Sequence, residues 1–431
     1  MLLSAIAIIL LMIAGLWSIP GASQSVPIDR DVAILQKILK QHPDAELYYR
    51  LSDLYIQKGR QTGDITYFNL ASKSLQEALR LQPNLEAAHR HRAFVLYSLH
   101  DFAGATSEAT RAIEFDPRDS YAYGVLGDAQ LETGEYKKAA DTYGQMAAIK
   151  NDLYSYSRRS GLETIMGEDN AAVGDLKRAI AAGVQTNEPP EGIAWAQVML
   201  AQDYFLMGKL DDADSAGMAA LVTYPTYHRA LAILGQVRAA QGKFSEAADF
   251  YRRAIAVIPL PEYAAALGDV YTKLGREKDA EEQHQLVEFI ARLNALNRVL
   301  YNRVLVDYYA DHDIDHQQAL DLAAGEFKIR HDIYGHDALA WALYRDGKSD
   351  AALPHMINAL RFKTTDARLY FHAGMIYAAL GRNDRARAML ERALAINRHF
   401  QPLLDEMAER EYVALNGSSG RQMARESGFN H

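Results

Sequence analysis

The stretch YADHDIDHQQAL, residues 309–320, sets His312 and His316 among Asp311, Asp313 and Asp315. Imidazole nitrogens and carboxylate oxygens are zinc ligands, and a metal-binding or metal-delivery protein using the His/Asp cluster 311–336 is one reading of this chemistry. Histidines four apart share a face only on a continuous helix. Here the apolar pattern breaks between a first helix ending near Tyr309 and a second starting near Gln317. Asp311 and His312 then close one helix, and Asp315 takes the N-cap of the next, accepting backbone N–H bonds. The expectation is therefore a solvated, capped turn and no metal site. Of the other histidines, His331 falls at a repeat boundary, His336 on the packing side of a first helix and His355 late in a second helix. In register they are scattered, and HRHR (89–92) lies within a helix.

Catalytic chemistry is sparser still. The chain holds no cysteine, which removes disulfides, thiolate nucleophiles and zinc ribbons together. No HExxH, Gly-rich phosphate loop or GxSxG elbow is present, so neither enzymatic activity nor a cofactor is expected. A net charge of −9 without like-charge blocks gives no footprint for nucleic acid.

At 431 residues, 49% of them hydrophobic, the chain is too long for one compact core, and a repeat array or several domains must supply the architecture. Leu2–Ile19 is an uncharged apolar run followed by PGASQS, whose small residues suit a signal-peptidase cut. Residues 1–25 are expected to be a signal peptide or an N-terminal membrane anchor. This reading puts the rest of the chain outside the cytoplasm, with membrane attachment through residues 2–19 as the alternative to cleavage.

A repeat of about 34 residues governs the remainder. LEAAHRHRAFVLYSLHDFAGATSEATRAIEFDP, SYAYGVLGDAQLETGEYKKAADTYGQMAAIK, HRALAILGQVRAAQGKFSEAADFYRRAIAVIP and ARLYFHAGMIYAALGRNDRARAMLERALAIN each read as two short helices around a Gly or polar turn. A small or apolar residue late in the second helix forms a ladder: Ala78, Ala112, Met146, Ala179, Ala220, Ala254, Val287, Glu326, Ala359 and Ala393. Small residues let neighbouring helices cross closely. This pattern resembles the tetratricopeptide repeat over nearly the whole chain after the apolar run. Strings such as SYSRRSGLETIMGED and DALAWALYRDGKSDAALPHMINAL look like a bacterial subgroup of exported members.

The resemblance implies an all-α, right-handed superhelical solenoid of about ten helix-turn-helix repeats. Irregular steps in the ladder predict joints: QTNEPPEG (185–192) breaks the register with prolines, whereas LVEFIARLNALNRV (286–299) extends a helix. The expected layout is an N-terminal block over 27–184, a central block over 194–288, a C-terminal block over 289–415 and a flexible tail over 416–431. DRDVAILQKILKQHP and QPLLDEMAEREYVAL are the expected capping helices, because bare terminal repeats would leave apolar faces in water.

In the resembled family the first helices line a concave surface that often holds peptides. By register that surface carries Tyr121, Tyr154, Trp195, Gln202, Phe205, Tyr301, Tyr308, Tyr334, Asp337, Trp341, Tyr344 and Phe371. Tyr308, Trp341 and Tyr344 are the expected anchors, since aromatics bury large area with few rotors to freeze. No Lys/Asn/Arg set for gripping a terminal carboxylate is present. A cationic or aromatic-rich segment of a protein or peptide suits such a groove better, and the sequence reading is a non-catalytic scaffold or adaptor. An assembly factor for a cell-envelope complex differs from it mainly in the partner.

Overall fold

The computed structural model describes residues 25–296 and 302–427; the apolar run Leu2–Ile19 and Tyr301 lie outside the described residues. Among the described residues there are 22 helices and no strand, an all-α helical-repeat solenoid. Contacts divide the chain into two compact units, one ending at His91 and one starting at Arg92.

In the first unit α1 (Ser25–Gln41) packs on α2 (Ala45–Thr62), as a cap should, and α2 pairs with α3 (Ile65–Leu81). Gln36 Nε2 donates to the Tyr55 hydroxyl at 2.6 Å. The extra residues of this repeat lengthen α2 to 18 residues, and Asp64 caps α3 by accepting from Thr66 N–H.

Helix α4 (Glu86–Ser98) spans the division and leads into α5 (Phe102–Phe115). The pairs that follow are α6 (Ser120–Glu132) with α7 (Tyr136–Ile149), α8 (Leu153–Met166) with α9 (Asp169–Gln185), and α10 (Pro190–Leu206) with α11 (Leu210–Thr223). Then come α12 (His228–Ala240) with α13 (Phe244–Val257), α14 (Pro261–Lys273) with α15 (Glu277–Leu296), and α16 (Asn302–Asp311) with α17 (His316–Phe327). Last are α18 (Ile333–Arg345) with α19 (Ser349–Ala359), α20 (Ala367–Ala379) with α21 (Asn383–Ile396), and the closing helix α22 (Leu404–Ser427). The 20 residues of α15 are the helix extension expected there. Helix α22 runs on through the segment read as a loose tail: no proline stops it, and Gly417 and Gly420 each cost a helix only about 1 kcal/mol.

Every member of the small-residue ladder is buried, from Ala78, Ala112 and Ala179 at 0% exposure to Glu326 at 7%. Glu326 is the exception in type. Its carboxylate meets Arg303 at 3.0 Å and Arg330 at 3.3 Å, so the charge is compensated where other repeats place a methyl group.

Within the second unit the solenoid comes round upon itself. Ile333 N–H donates to the Tyr136 hydroxyl at 2.7 Å, Thr365 Oγ1 to Asp169 at 2.8 Å, and Asn397 Nδ2 to the Phe205 carbonyl at 2.9 Å. Thr364 Oγ1 bonds the Ile165 carbonyl. These partners lie 192 to 199 residues apart, roughly six repeats, so that spacing is one superhelical turn.

Glycine at the turn between paired helices makes the seam close. Gly208 has φ +73°, and a Cβ there would sit 2.3 Å from the Ile396 carbonyl oxygen, whereas Gly242, at φ +72°, has open space around it. Gly242→Ala should therefore cost only the left-handed backbone term, about 1 kcal/mol. Gly208→Ala adds a clash with fixed backbone, and we expect at least twice that loss in urea unfolding. Equal losses would mean that the seam does not form.

Candidate functional site

The aspartate and histidine cluster is spent on structure. Asp313 (φ 60°) stands where neighbouring repeats place Gly275 and Gly347 in the left-handed turn, a conformation aspartate tolerates better than most residues. Asp315 is the N-cap of α17 and accepts from Gln318 N–H at 3.0 Å, as read from the sequence. His316 meets Asp313 at 2.6 Å, while His312 points the other way and meets Asp269 of α14 at 2.7 Å. Asp311 accepts from Trp341 Nε1 at 2.8 Å and from Gln401 Nε2 at 3.1 Å. The two histidines thus serve different partners and do not converge. Among the described residues no group of three or more such side chains is placed to hold a metal ion, and nothing supports the metal-binding alternative.

The scatter expected for the remaining histidines is corrected by the fold. His331, His336 and His355 gather around the Phe327 ring at 5.1, 4.7 and 5.0 Å between centroids, and His336 Nδ1 lies 3.1 Å from His355 Nδ1. Burial pushes His336 down to about 4, with His355 and Arg361 adding to the effect, and burial lowers His355 as well. The turn that ends α17 folds His331 back beside two helices, a juxtaposition register alone does not reveal.

The expected groove aromatics differ in burial. Trp341 and Phe371 are completely buried and so cannot anchor a partner. The indole stacks on His372 at 4.1 Å and on Tyr344 at 5.0 Å, and Phe400 packs on Phe371. Asp337, also buried, is held by His372 Nδ1 at 2.8 Å. By register Trp341 does belong to the inner face, 34 residues after Asp307. Phe400 and Gln401, leading into α22, cover that face at this end. Tyr334 and Tyr344 are half-buried and pack against the same core. Tyr308 (3% exposed) and Phe205 are buried too, and both line a cavity. Tyr121 on α6 is exposed, whereas Tyr154 on α8 and Trp195 on α10 are half-buried like Tyr334 and Tyr344, their ring centroids 6.5 Å apart.

That cavity, of about 520 Å³, is walled by α10, α12, α14 and α16, and on the other side by the start of α20 and residues 397–402. It exists because the later repeats come round opposite the earlier ones. Of the groove residues expected from the sequence, Gln202, Phe205 and Tyr308 line it; Asp311 and His312, expected in a solvated turn, line it too, and Arg229, Gln236, Glu262, Asp269, Asp307 and Arg368 were missed. A signal was available: Gln202, Gln236, Asp269 and Asp307 recur 34, 33 and 38 residues apart at one inner position.

The wall electrostatics are uneven. Arg368 bridges Asp307 at 2.7 Å and lies 3.5 Å from Asp311. Burial raises Asp307, Arg368 opposes the rise, and the neighbouring Asp311 and Asp337 leave it at about 6. Burial disfavours charge on His312, but the hydrogen bond and charge of Asp269, with the Tyr308 carbonyl and Asp311, more than offset this and push it up to about 9. His312 is therefore an imidazolium at neutral pH.

Tetratricopeptide repeat models match residues 45–85 and 367–400, and 91–156 and 198–264. With the ten helix pairs and their ladder, the chain is a tetratricopeptide repeat protein. It is similar to cellulose synthase 2 operon protein C of Komagataeibacter xylinus, 27% identical over 84% of this chain and 26% of that protein. It is also similar to small glutamine-rich tetratricopeptide repeat-containing protein 2 of Saccharomyces cerevisiae, 28% identical over 25% of this chain and 31% of that protein. The chain thus spans between a quarter and a third of the length of these relatives. Among solved structures it resembles a thermophilic TPR protein of Thermus thermophilus, 21% identical over 45% of this chain and 98% of that one, with a TM-score of 0.39.

Proposed function

We propose that this protein is a non-catalytic scaffold that captures a segment of a protein partner along the open part of its inner face. The observation that carries the reading is the split among the aromatics. Tyr121 is exposed and Tyr154 and Trp195 keep part of their surface open on successive first helices, whereas Trp341 and Phe371 are completely buried by the chain itself. Amphipathic rings on a preformed solenoid bury partner surface at little entropic cost. The apolar run Leu2–Ile19 supports a place outside the cytoplasm; among the described residues no helix is long and apolar enough to cross a membrane. A cell-envelope assembly role draws support from the likeness to a protein named for a cellulose synthase operon.

Photo-crosslinking amino acids placed at Tyr121 and Trp195, and at Val222 on the second-helix side as a control, test the reading in the native cell. One defined partner should crosslink from the first two positions and not from Val222. Crosslinking from Val222 alone would overturn the inner-face assignment.

A further inference from the structure

The walls of the cavity are not self-sufficient. Of its carboxylates, Asp269 is matched by His312, and Asp307 and Asp311 share Arg368. Asp366 caps α20, accepting from Arg368 N–H at 3.0 Å, which leaves Glu262, with Arg229 as the remaining guanidinium on the wall. Neither Glu262 nor Arg229 makes a side-chain ion pair or hydrogen bond to another side chain among the described residues. Glu262 starts α14 and lines the cavity with its side chain open to solvent. The protein close about it raises the Glu262 carboxyl against the pull of its own backbone N–H and of Arg229. The Glu262 carboxylate, unpaired on this wall, gains from a cation placed beside it.

The rest of the lining gives the shape of that cation. Val198, Phe205, Ala232, Ile233, Ala266 and Val270 make the floor apolar, and Gln202 and Gln236 add amides able to accept from an N–H group. The volume falls in the usual range of small-molecule sites, roughly 300–1,000 Å³. We propose that the cavity binds an organic cation with an alkyl body, an alkylammonium group held by the Glu262 carboxylate with its chain against Ala232, Ala266 and Val270. This goes beyond the scaffold reading and does not depend on it: the accessible aromatics lie elsewhere on the inner face. The same chemistry is offered by a free alkylamine or by a lysine side chain of a bound protein.

Calorimetric titration of the full chain with 1,5-diaminopentane and with Nα-acetyl-lysine amide separates these sources. Saturable one-to-one binding of at least one probe is expected, weakened about tenfold or more by Glu262→Gln, since a charge-assisted hydrogen bond is lost. Ala266→Leu, which fills the space without touching charge, should weaken it comparably. Melting and circular dichroism of both variants show whether the fold is kept. Tighter binding of the diamine assigns a free amine; tighter binding of the amide assigns a partner's lysine. Absence of saturable binding by either probe at millimolar concentration, or binding unchanged in both folded variants, overturns the proposal.

Discussion

Trp341→Ala is expected to destabilise the second unit by about 4 kcal/mol, within the range for removing a fully buried large aromatic. Three losses combine. The completely buried ring leaves a void that the stacked His372 and Tyr344 cannot close without leaving their own contacts. The Asp311 carboxylate, 2.8 Å from the indole nitrogen, loses a donor. Phe371, 5.5 Å away, loses its neighbour. Trp341→Phe keeps most of the volume and should cost less than half as much. Urea unfolding monitored by circular dichroism checks both; a loss under 1 kcal/mol for the alanine variant would mean that the indole faces solvent after all. Loss of a partner in Trp341→Ala would then report unfolding and not the removal of an anchor.

His312→Gln should remove a pH dependence from the stability. The folded-state value of His312 is raised from 6.5 to about 9. A raised imidazole stabilises the fold fully below pH 6.5, and the contribution disappears as pH rises through 9. At about 1.4 kcal/mol per unit, the variant should be less stable than the parent by up to about 3 kcal/mol at pH 6, and the gap should close towards pH 9.5. Glutamine can still donate to Asp269, which limits the penalty of an unpaired buried carboxylate. Unfolding free energies at half-unit steps between pH 6 and 9.5 show the convergence. A gap that stays constant across that range would mean that His312 is not charged in the fold.

Much of the fold was legible because the repeat is a local code. Each pair of helices is written within about 34 residues by an apolar stripe, a turn and a small residue at the crossing, and each of these acts between near neighbours. That is why the ladder from Ala78 to Ala393 is buried throughout, and why α15 is long where the register skips. Even Glu326 fits, once Arg303 and Arg330 are seen beside it. The turn reading of residues 311–316 came from the same local logic, with Asp315 capping; the structure adds that Asp313 stands in for glycine.

The candidate site was legible only in part, because its walls come from residues that the repeat period does not relate. Register places Trp341 on the inner face as surely as Trp195, but only the packing of Tyr344, Phe371 and His372 around its indole makes one core and leaves the other half-buried. By itself the sequence determined the helix pairs, their order, the caps and the absence of cysteine chemistry, all matters of neighbours a few tens of residues apart. The tertiary structure alone decided the seam between segments nearly 200 residues apart, the gathering of three histidines on Phe327, and which carboxylates of the cavity find a partner. The physical reason is that superhelical pitch accumulates from small rotations at every repeat, so where two distant turns meet depends on their sum and is not written at any one position.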